Sequence, residues 1–519
     1  MEYYAEKKLK SVFLLFGLPL LFISVYLLCN RRFYFFDDEF FTLSICNEKW
    51  PNFLAALKAS DVHPPLSYLL FKIWFIIFGQ NIYASQALSL IFMAIGLSVY
   101  LTIFTKLFPK INWLFSLVAI HPLLILWSGS ARYYPLLFLL FNLGILIFIK
   151  IFNKDYSIKT IALYISVSLL GLYTEFMYCL GLIPQCFLIL LSIFAESDKT
   201  KRLSYLTRFS LVILIIMALY LPWLPEIALR IVQNLQRFAR PSPILNFAYI
   251  IYGGFIGQSI MPYDFIVVIP AVIVFSFLFI GGIIKMFRAQ RNYFFIWFGL
   301  CIGAVVLAIP IRLLTVRHFL FFPGLLLIPV LYFIASFPKK WLRYTFFVIV
   351  LSIYIYGDLN IALKRDIHKG GMSDPISKII QVIVKKATAD KGLKVILYSH
   401  VLNYPLQAEK EISNQIIYLS ASDLEVYSKL SFLFHKIKPR RILYVWNYYG
   451  AQPDFANLDN SIQRLLDESY IKVSEVKFGK DERINKISRL ISKAYLNPTG
   501  CRFLIQEYQL KGFANGAQQ

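Results

Sequence analysis

The residues best suited to chemistry sit in two short polar stretches set among aromatic side chains. One reads Phe36-Asp37-Asp38-Glu39-Phe40, and the other reads Asp61-Val62-His63-Pro64-Pro65-Leu66. Adjacent carboxylates wedged between rings repel one another unless a partner or a task stabilises them, so at least one proton affinity is displaced. Asp38 and Glu39 are therefore the candidate general base or metal ligands, with Asp37 beside them as a supporting residue or a plain helix cap. His63 stands on backbone stiffened by two prolines, which fix φ and hold the preceding residue extended. Asp61 supports it from the same loop.

Cationic residues recur further on. Arg132 and Tyr133 lie in Gly129-Ser-Ala-Arg132-Tyr133-Tyr134-Pro135, Glu175 lies in Tyr173-Thr-Glu175-Phe-Met-Tyr178, and Arg312, Arg317 and His318 lie in 311–318. A carboxylate on one wall and arginines on the others suit transfer of a group away from a phosphate. The acid takes a proton from an acceptor hydroxyl, and guanidinium groups hold the departing phosphate through charge-assisted hydrogen bonds. Each residue also has a structural reading. Arg312, like Arg230, Arg237 and Arg240, sits where a basic side chain snorkels to lipid headgroups. His318 can satisfy a backbone carbonyl, and Glu175 can pair with an arginine as structural glue.

The elements that must position these groups follow from composition. The 519 residues are 58% apolar, 17% aromatic and only 16% charged, which marks a polytopic membrane protein. The formal charge of +24 is spread in short clusters between apolar runs, the pattern of membrane topology and not of nucleic-acid binding. Eleven runs are long enough to span: 11–29, 84–105, 111–128, 134–151, 157–173, 177–195, 207–224, 262–284, 292–310, 318–336 and 341–357. The run from Leu66 to Phe78 is too short and reads as an interfacial helix, with Lys72 and Trp74 at the headgroups. With that helix excluded, the Lys- and Arg-rich loops share the side of the basic N-terminus. The loops bearing Asp38, His63, Arg132, Glu175 and Arg317 then share the non-cytoplasmic side. The N-terminus is accordingly expected in the cytoplasm and the C-terminus outside. Six cysteines show neither metal spacing nor a disulfide framework.

A mainly α membrane domain over 1–357, with its first external loop at 30–83, is expected to be followed by a soluble extracytoplasmic α/β domain over 358–519. There, Asp374–Ala389, Ser422–His435 and Ser461–Glu468 carry helical spacing, and Lys394–Tyr398, Gln415–Leu419 and Arg441–Trp446 read as buried strands. No glycine-rich nucleotide fingerprint is present. The aromatic run Val445 to Tyr449 reads as core or interface before it reads as a ligand platform.

The Asp38-Glu39 pair, the His63-Pro64-Pro65 loop, Ser130-Ala-Arg132-Tyr133, Tyr220-Leu-Pro222-Trp223-Leu-Pro225 and Arg317-His318-Phe-Leu-Phe-Phe-Pro323 resemble the GT-C glycosyltransferases of the protein mannosyltransferase and lipid A aminoarabinose transferase superfamily. The resemblance spans roughly residues 1–340. It implies a polyprenyl-phosphate-linked sugar donor and an inverting transfer at the outer face of a bacterial plasma or inner membrane. It further implies Asp38 as general base and Arg132 and Arg317 near the lipid phosphate, with a glycan, lipid or protein as acceptor. Members differ in metal use, so Mg or Mn held by Asp38 and Glu39 stays open. Arg-Tyr is common where this chain has Arg317-His318, which leaves the role of His318 open too. Two other classes compete. A flippase would carry midplane charges, internal repeats and broken helices. A glycan ligase or polymerase would concentrate its function in a late external loop, for which 225–263 is the nearest match.

Overall fold

A computed structural model of the chain describes residues 16–30, 37–60, 63–108, 113–229, 243–262, 264–308, 316–363, 365, 370–398, 406, 411–418, 430, 438–447, 462–478 and 503–511. The chain forms two compact units, one of residues 1–32 and 42–368 and one of 33–41 and 369–519.

The first unit is helical. Its described helices are α1 (Leu18–Cys29), α2 (Asp37–Asn47, of which 37–41 belong to the second unit), α3 (Trp50–Ser60), α4 (Leu66–Phe78), α5 (Ile82–Leu107), α6 (Ser116–Ala119), α7 (Pro122–Trp127), α8 (Tyr134–Phe152) and α9 (Ile158–Thr174). They continue through α10 (Cys179–Phe194), α11 (Lys199–Tyr220), α12 (Pro243–Phe255), α13 (Phe265–Ala289), α14 (Arg291–Ala308), α15 (Phe322–Ser336) and α16 (Lys340–Ala362). Each of the eleven apolar runs thus contains helix, and six helices are by themselves long and apolar enough to cross a membrane. This is a multi-pass membrane protein. On α13 the exposed residues Ile266, Ile269, Ile273, Phe277, Ile280 and Ile284 recur at helical spacing, while Ala271, Phe275, Leu278 and Gly282 are buried. An apolar outer stripe of that kind is matched to hydrocarbon and not to water.

Three local features differ from the sequence reading. The acidic trio was expected in a loop, but Asp37, Asp38 and Glu39 occupy the first turn of α2, where the helix dipole favours negative charge. The run 111–128 is not one helix: it breaks at His121-Pro122 because proline has no N–H to continue the ladder. His121, fully buried, heals the break. Its Nδ1 accepts from the Leu123 amide at 3.2 Å, so Nε2 carries the hydrogen and donates to the Gly254 carbonyl at 3.0 Å. Finally, Lys72 is not at a headgroup. It is buried, and its Nζ donates to the carbonyls of Cys46 (2.8 Å) and Glu48 (2.5 Å), under the Trp50 ring at 4.9 Å. Trp74 turns inward too, donating to the Ala84 carbonyl at 2.7 Å. Together these contacts tie the C-terminal end of α2 to α4, and α4 to α5.

A second proline is repaired across helices. Pro329 inside α15 leaves the Leu325 carbonyl without its usual amide, and Trp297 of α14 donates its indole N–H there at 2.8 Å. One turn on along α15, Gly282 of α13 lies so near the Pro329 carbonyl that a Cβ would come within 2.1 Å of the oxygen. Only glycine permits that approach.

In the second unit, α17 (Gly370–Ala389) precedes a five-stranded sheet of β1 (Leu393–Tyr398), β2 (Ile416–Tyr418), β3 (Arg441–Asn447), β4 (Tyr470–Phe478) and β5 (Phe503–Leu510), in the order β2-β1-β3-β5-β4. The strands β1, β2 and β3 are parallel, and β5 runs antiparallel between β3 and β4. Residues 462–469 form the helix expected there, and Leu465 and Leu466 pack with Ile442, Tyr444 and Tyr508 in the core. The sequence reading missed β4 and β5. Of the helix expected at 422–435 only Leu430, helical and buried in the core, is among the described residues; the side chains of 446–449 lie outside them, although Val445 itself is buried.

Candidate active site

Proline-led helix starts bring the predicted residues together. His63 precedes Pro64-Pro65 and α4. Arg132 and Tyr133 precede Tyr134-Pro135 and α8. Arg317 and His318 lie in the short 3-10 turn Val316–Phe319 ahead of Phe322-Pro323 and α15. Proline is favoured at a helix start because the missing N–H would be unpaired there in any case. Three of the basic or polar groups therefore sit at helix N-termini, where unpaired backbone N–H groups add partial positive charge.

The side chains then interlock. Tyr133 forms the centre: its ring lies 4.5 Å from that of His63, and its hydroxyl shares a hydrogen bond with His318 Nδ1 at 2.5 Å. His63 Nδ1 pairs with the carboxylate of Glu175, which is fully buried in the turn after α9. That partner fixes the tautomer and the ring orientation. Glu175 was weighed as a partner for arginine; the structure pairs it with histidine instead.

Both arginines are held on aromatic faces. Arg132 donates to the Tyr68 hydroxyl at 2.9 Å and to Thr42 Oγ1 at 3.3 Å, with its guanidinium 5.6 Å from the Tyr133 ring and 5.8 Å from that of Tyr68. Arg317 lies 5.3 Å from the Trp127 ring and 5.9 Å from that of Tyr134, and the Trp127 indole is pinned by Gln258 Oε1 at 2.8 Å. Tyr68, Trp127 and Tyr134 were not anticipated. Nothing in an aromatic-rich membrane sequence sets them apart, save that two of them flank the Ser128 to Tyr133 stretch.

Two arginines beside proline-led helix starts give the described site fixed positive groups, which suits an anion with negative oxygens such as a phosphate. Of the other predicted residues, Glu39 is buried at 3% exposure in α2. The Asp37 and Asp38 side chains, Asp61 and Arg312 lie outside the described residues. Among the described residues no group of three or more His, Cys, Asp or Glu side chains converges as a metal site. No step below is routed through a metal ion.

No family model and no curated protein matches the sequence. Solved structures do match in shape. ArnT from Cupriavidus metallidurans in the apo state superposes with a TM-score of 0.55 at 10% identity, covering 94% of this chain and 98% of that one. This is the GT-C fold. ArnT bound to undecaprenyl phosphate gives 0.52 at 11% identity over 94% of this chain and 97% of that one. The archaeal oligosaccharyltransferase AglB from Archaeoglobus fulgidus, in complex with an inhibitory peptide and a dolichol-phosphate, gives 0.51 at 11% identity over 90% and 73%. At such identity the GT-C likeness is one of fold. The chemistry has to be argued from the site.

Proposed function

We propose that this protein is an integral-membrane glycosyltransferase that moves a sugar from a polyprenyl phosphate to an acceptor hydroxyl at the non-cytoplasmic face of the membrane. The observation that carries the reading is the convergence of Arg132 and Arg317 around the Tyr133–His318 and His63–Glu175 pairs. It is supported by a fold shared with an enzyme solved on undecaprenyl phosphate. A lipid donor also fits the compartment. Nucleotide sugars are absent outside the cytoplasm, so an activated sugar has to arrive on something resident in the membrane.

In the proposed reaction Asp38 takes the proton of the acceptor hydroxyl. The oxygen attacks the anomeric carbon from the face opposite the phosphate, and the bond from that carbon to the phosphate oxygen breaks, giving an inverted glycoside and free polyprenyl phosphate. Arg132 and Arg317 stabilise the charge that develops on the leaving phosphate, more in the transition state than in the ground state. His63, oriented by Glu175, and His318, oriented by Tyr133, complete that wall. Acceptor choice falls partly to the C-terminal domain.

The test is incubation of the purified protein with a panel of polyprenyl-phosphate sugars, following release of the free lipid phosphate. One donor should release it, and Asp38→Asn should abolish release while leaving the fold intact. Full activity in Asp38→Asn would remove Asp38 from the base role. Movement of the intact sugar-lipid without release would make the protein a transporter.

A further inference from the structure

The motif Tyr220-Leu-Pro222-Trp223 has no part in the reaction as written, yet two of its polar atoms are unused. Tyr220 ends α11 and Trp223 closes the 3-10 turn that follows, Leu221–Trp223. The two residues are only 9% and 7% exposed. The Tyr220 hydroxyl and the Trp223 indole N–H are buried and make no hydrogen bond among the described residues. A buried donor without an acceptor costs free energy, and most proteins avoid one, let alone two within a single turn.

Both rings are held in place by their neighbours. Tyr173 packs edge-on against Tyr220 at 5.3 Å and donates its hydroxyl to the Leu219 carbonyl at 2.7 Å. The Lys58 ammonium lies 5.4 Å from the Trp223 ring and pairs with Glu226 at 3.3 Å, bracing α3 against this turn. Tyr173, which packs on Tyr220, is two residues before Glu175, the carboxylate that holds His63. The turn is therefore tied to the site through the Tyr173–Glu175 segment, and His63 packs in its turn on Tyr133, beside Arg132.

Aromatic faces beside O–H and N–H donors are the chemistry that recognises a pyranose. The ring's C–H face lies on the aromatic surface, and its hydroxyl oxygens accept from tyrosine and tryptophan. We propose that Tyr220 and Trp223 form the subsite for the sugar ring of the lipid-linked donor, on the far side of the His63–Glu175 pair from the phosphate-binding arginines. This rests on the reading of the protein as a polyprenyl-phosphate glycosyltransferase.

The test compares binding of two probes to the full-length protein in detergent: undecaprenyl phosphate, and the undecaprenyl-phosphate sugar that scores in the release panel. Tyr220→Phe keeps the ring and removes the donor, and Trp223→Phe removes the indole N–H but keeps an aromatic face. Each should weaken the sugar-bearing lipid about tenfold or more, as loss of a ligand hydrogen bond does, and leave undecaprenyl phosphate within about twofold. Tyr220→Phe should also retain or raise the thermal midpoint, because a buried polar atom without a partner is removed without opening a cavity. Arg132→Gln, as a control, should weaken both lipids. Equal weakening of the two lipids by the Phe variants, no weakening of either, or a wild type that binds the sugar-bearing lipid no better than undecaprenyl phosphate would overturn the subsite. Failure of every polyprenyl-phosphate lipid to bind or to be turned over would instead overturn the glycosyltransferase reading.

Discussion

The Tyr133 hydroxyl and His318 Nδ1 lie 2.5 Å apart, joining two helix starts 185 residues apart in sequence. Because Tyr133 also packs against His63, one phenol ring organises three loops. Tyr133→Phe should keep the ring contacts yet release His318, lowering transfer roughly tenfold, about the worth of a short hydrogen bond. Steady-state kinetics check this: a variant with unchanged kcat and KM would mean that the bond has no part in turnover.

Glu175→Gln keeps the shape of the turn and removes the charge that orients His63. A hydrogen bond to a charged group contributes about 1.5–3 kcal/mol, so transfer should fall roughly 10- to 100-fold with the fold retained. Measured kcat against donor concentration decides whether the loss falls on turnover, as expected of a positioning residue, or on KM alone.

Arg317→Lys preserves charge but not the flat guanidinium that lies over Trp127 and Tyr134. The two cations are not interchangeable at a stacked site. Donor affinity should fall at least about tenfold, since stacking on two rings contributes about 1–2 kcal/mol when desolvated. Equal affinity in the lysine variant would show that only the charge matters.

Lys72→Met removes the donor from the Cys46 and Glu48 carbonyls, in the segment between α1 and α5. Leaving them unsatisfied should cost about 2 kcal/mol and lower the thermal midpoint of the purified protein. A lysine serving only the headgroups would be replaced without that loss.

Acid should weaken the second unit through Glu507. Burial raises its proton affinity, but the hydrogen bonds and charges of Lys386 and Arg441 outweigh burial and hold it below the ordinary glutamate range. A depressed folded-state pKa contributes stability that is present above the unfolded value, about 4.3, and is lost as pH falls through the folded value. Calorimetry of wild type and Glu507→Gln at pH 7 and at pH 4 and below should show an advantage for wild type that shrinks on acidification. A constant difference would contradict the linkage.

Much of this was legible in the chain. The basic loops alone sorted His63, Arg132, Glu175, Arg317 and His318 onto one side of the membrane, and the three helix starts that carry the histidines and arginines, those of α4, α8 and α15, announce themselves by proline. The aromatic supports were not legible. Tyr68, Trp127 and Tyr134 sit in a sequence with 33 tyrosines, 8 tryptophans and 48 phenylalanines, so no local contrast marks them. Lys72 misled because a lone lysine on an apolar helix snorkels by default, whereas here nearby carbonyls capture it. The strand β4 was missed because its charged residues Lys472, Glu475 and Lys477 interrupt the apolar alternation of Ile471, Val473 and Val476.

The most direct measurement is equilibrium binding of undecaprenyl phosphate to the purified protein and to Arg132→Gln/Arg317→Gln. Wild type should bind the lipid, with affinity falling as salt is raised, and the double variant should lose about a hundredfold or more, each guanidinium–phosphate contact being worth about 1.5–3 kcal/mol. Equal binding by both proteins would mean that these arginines do not hold a lipid phosphate.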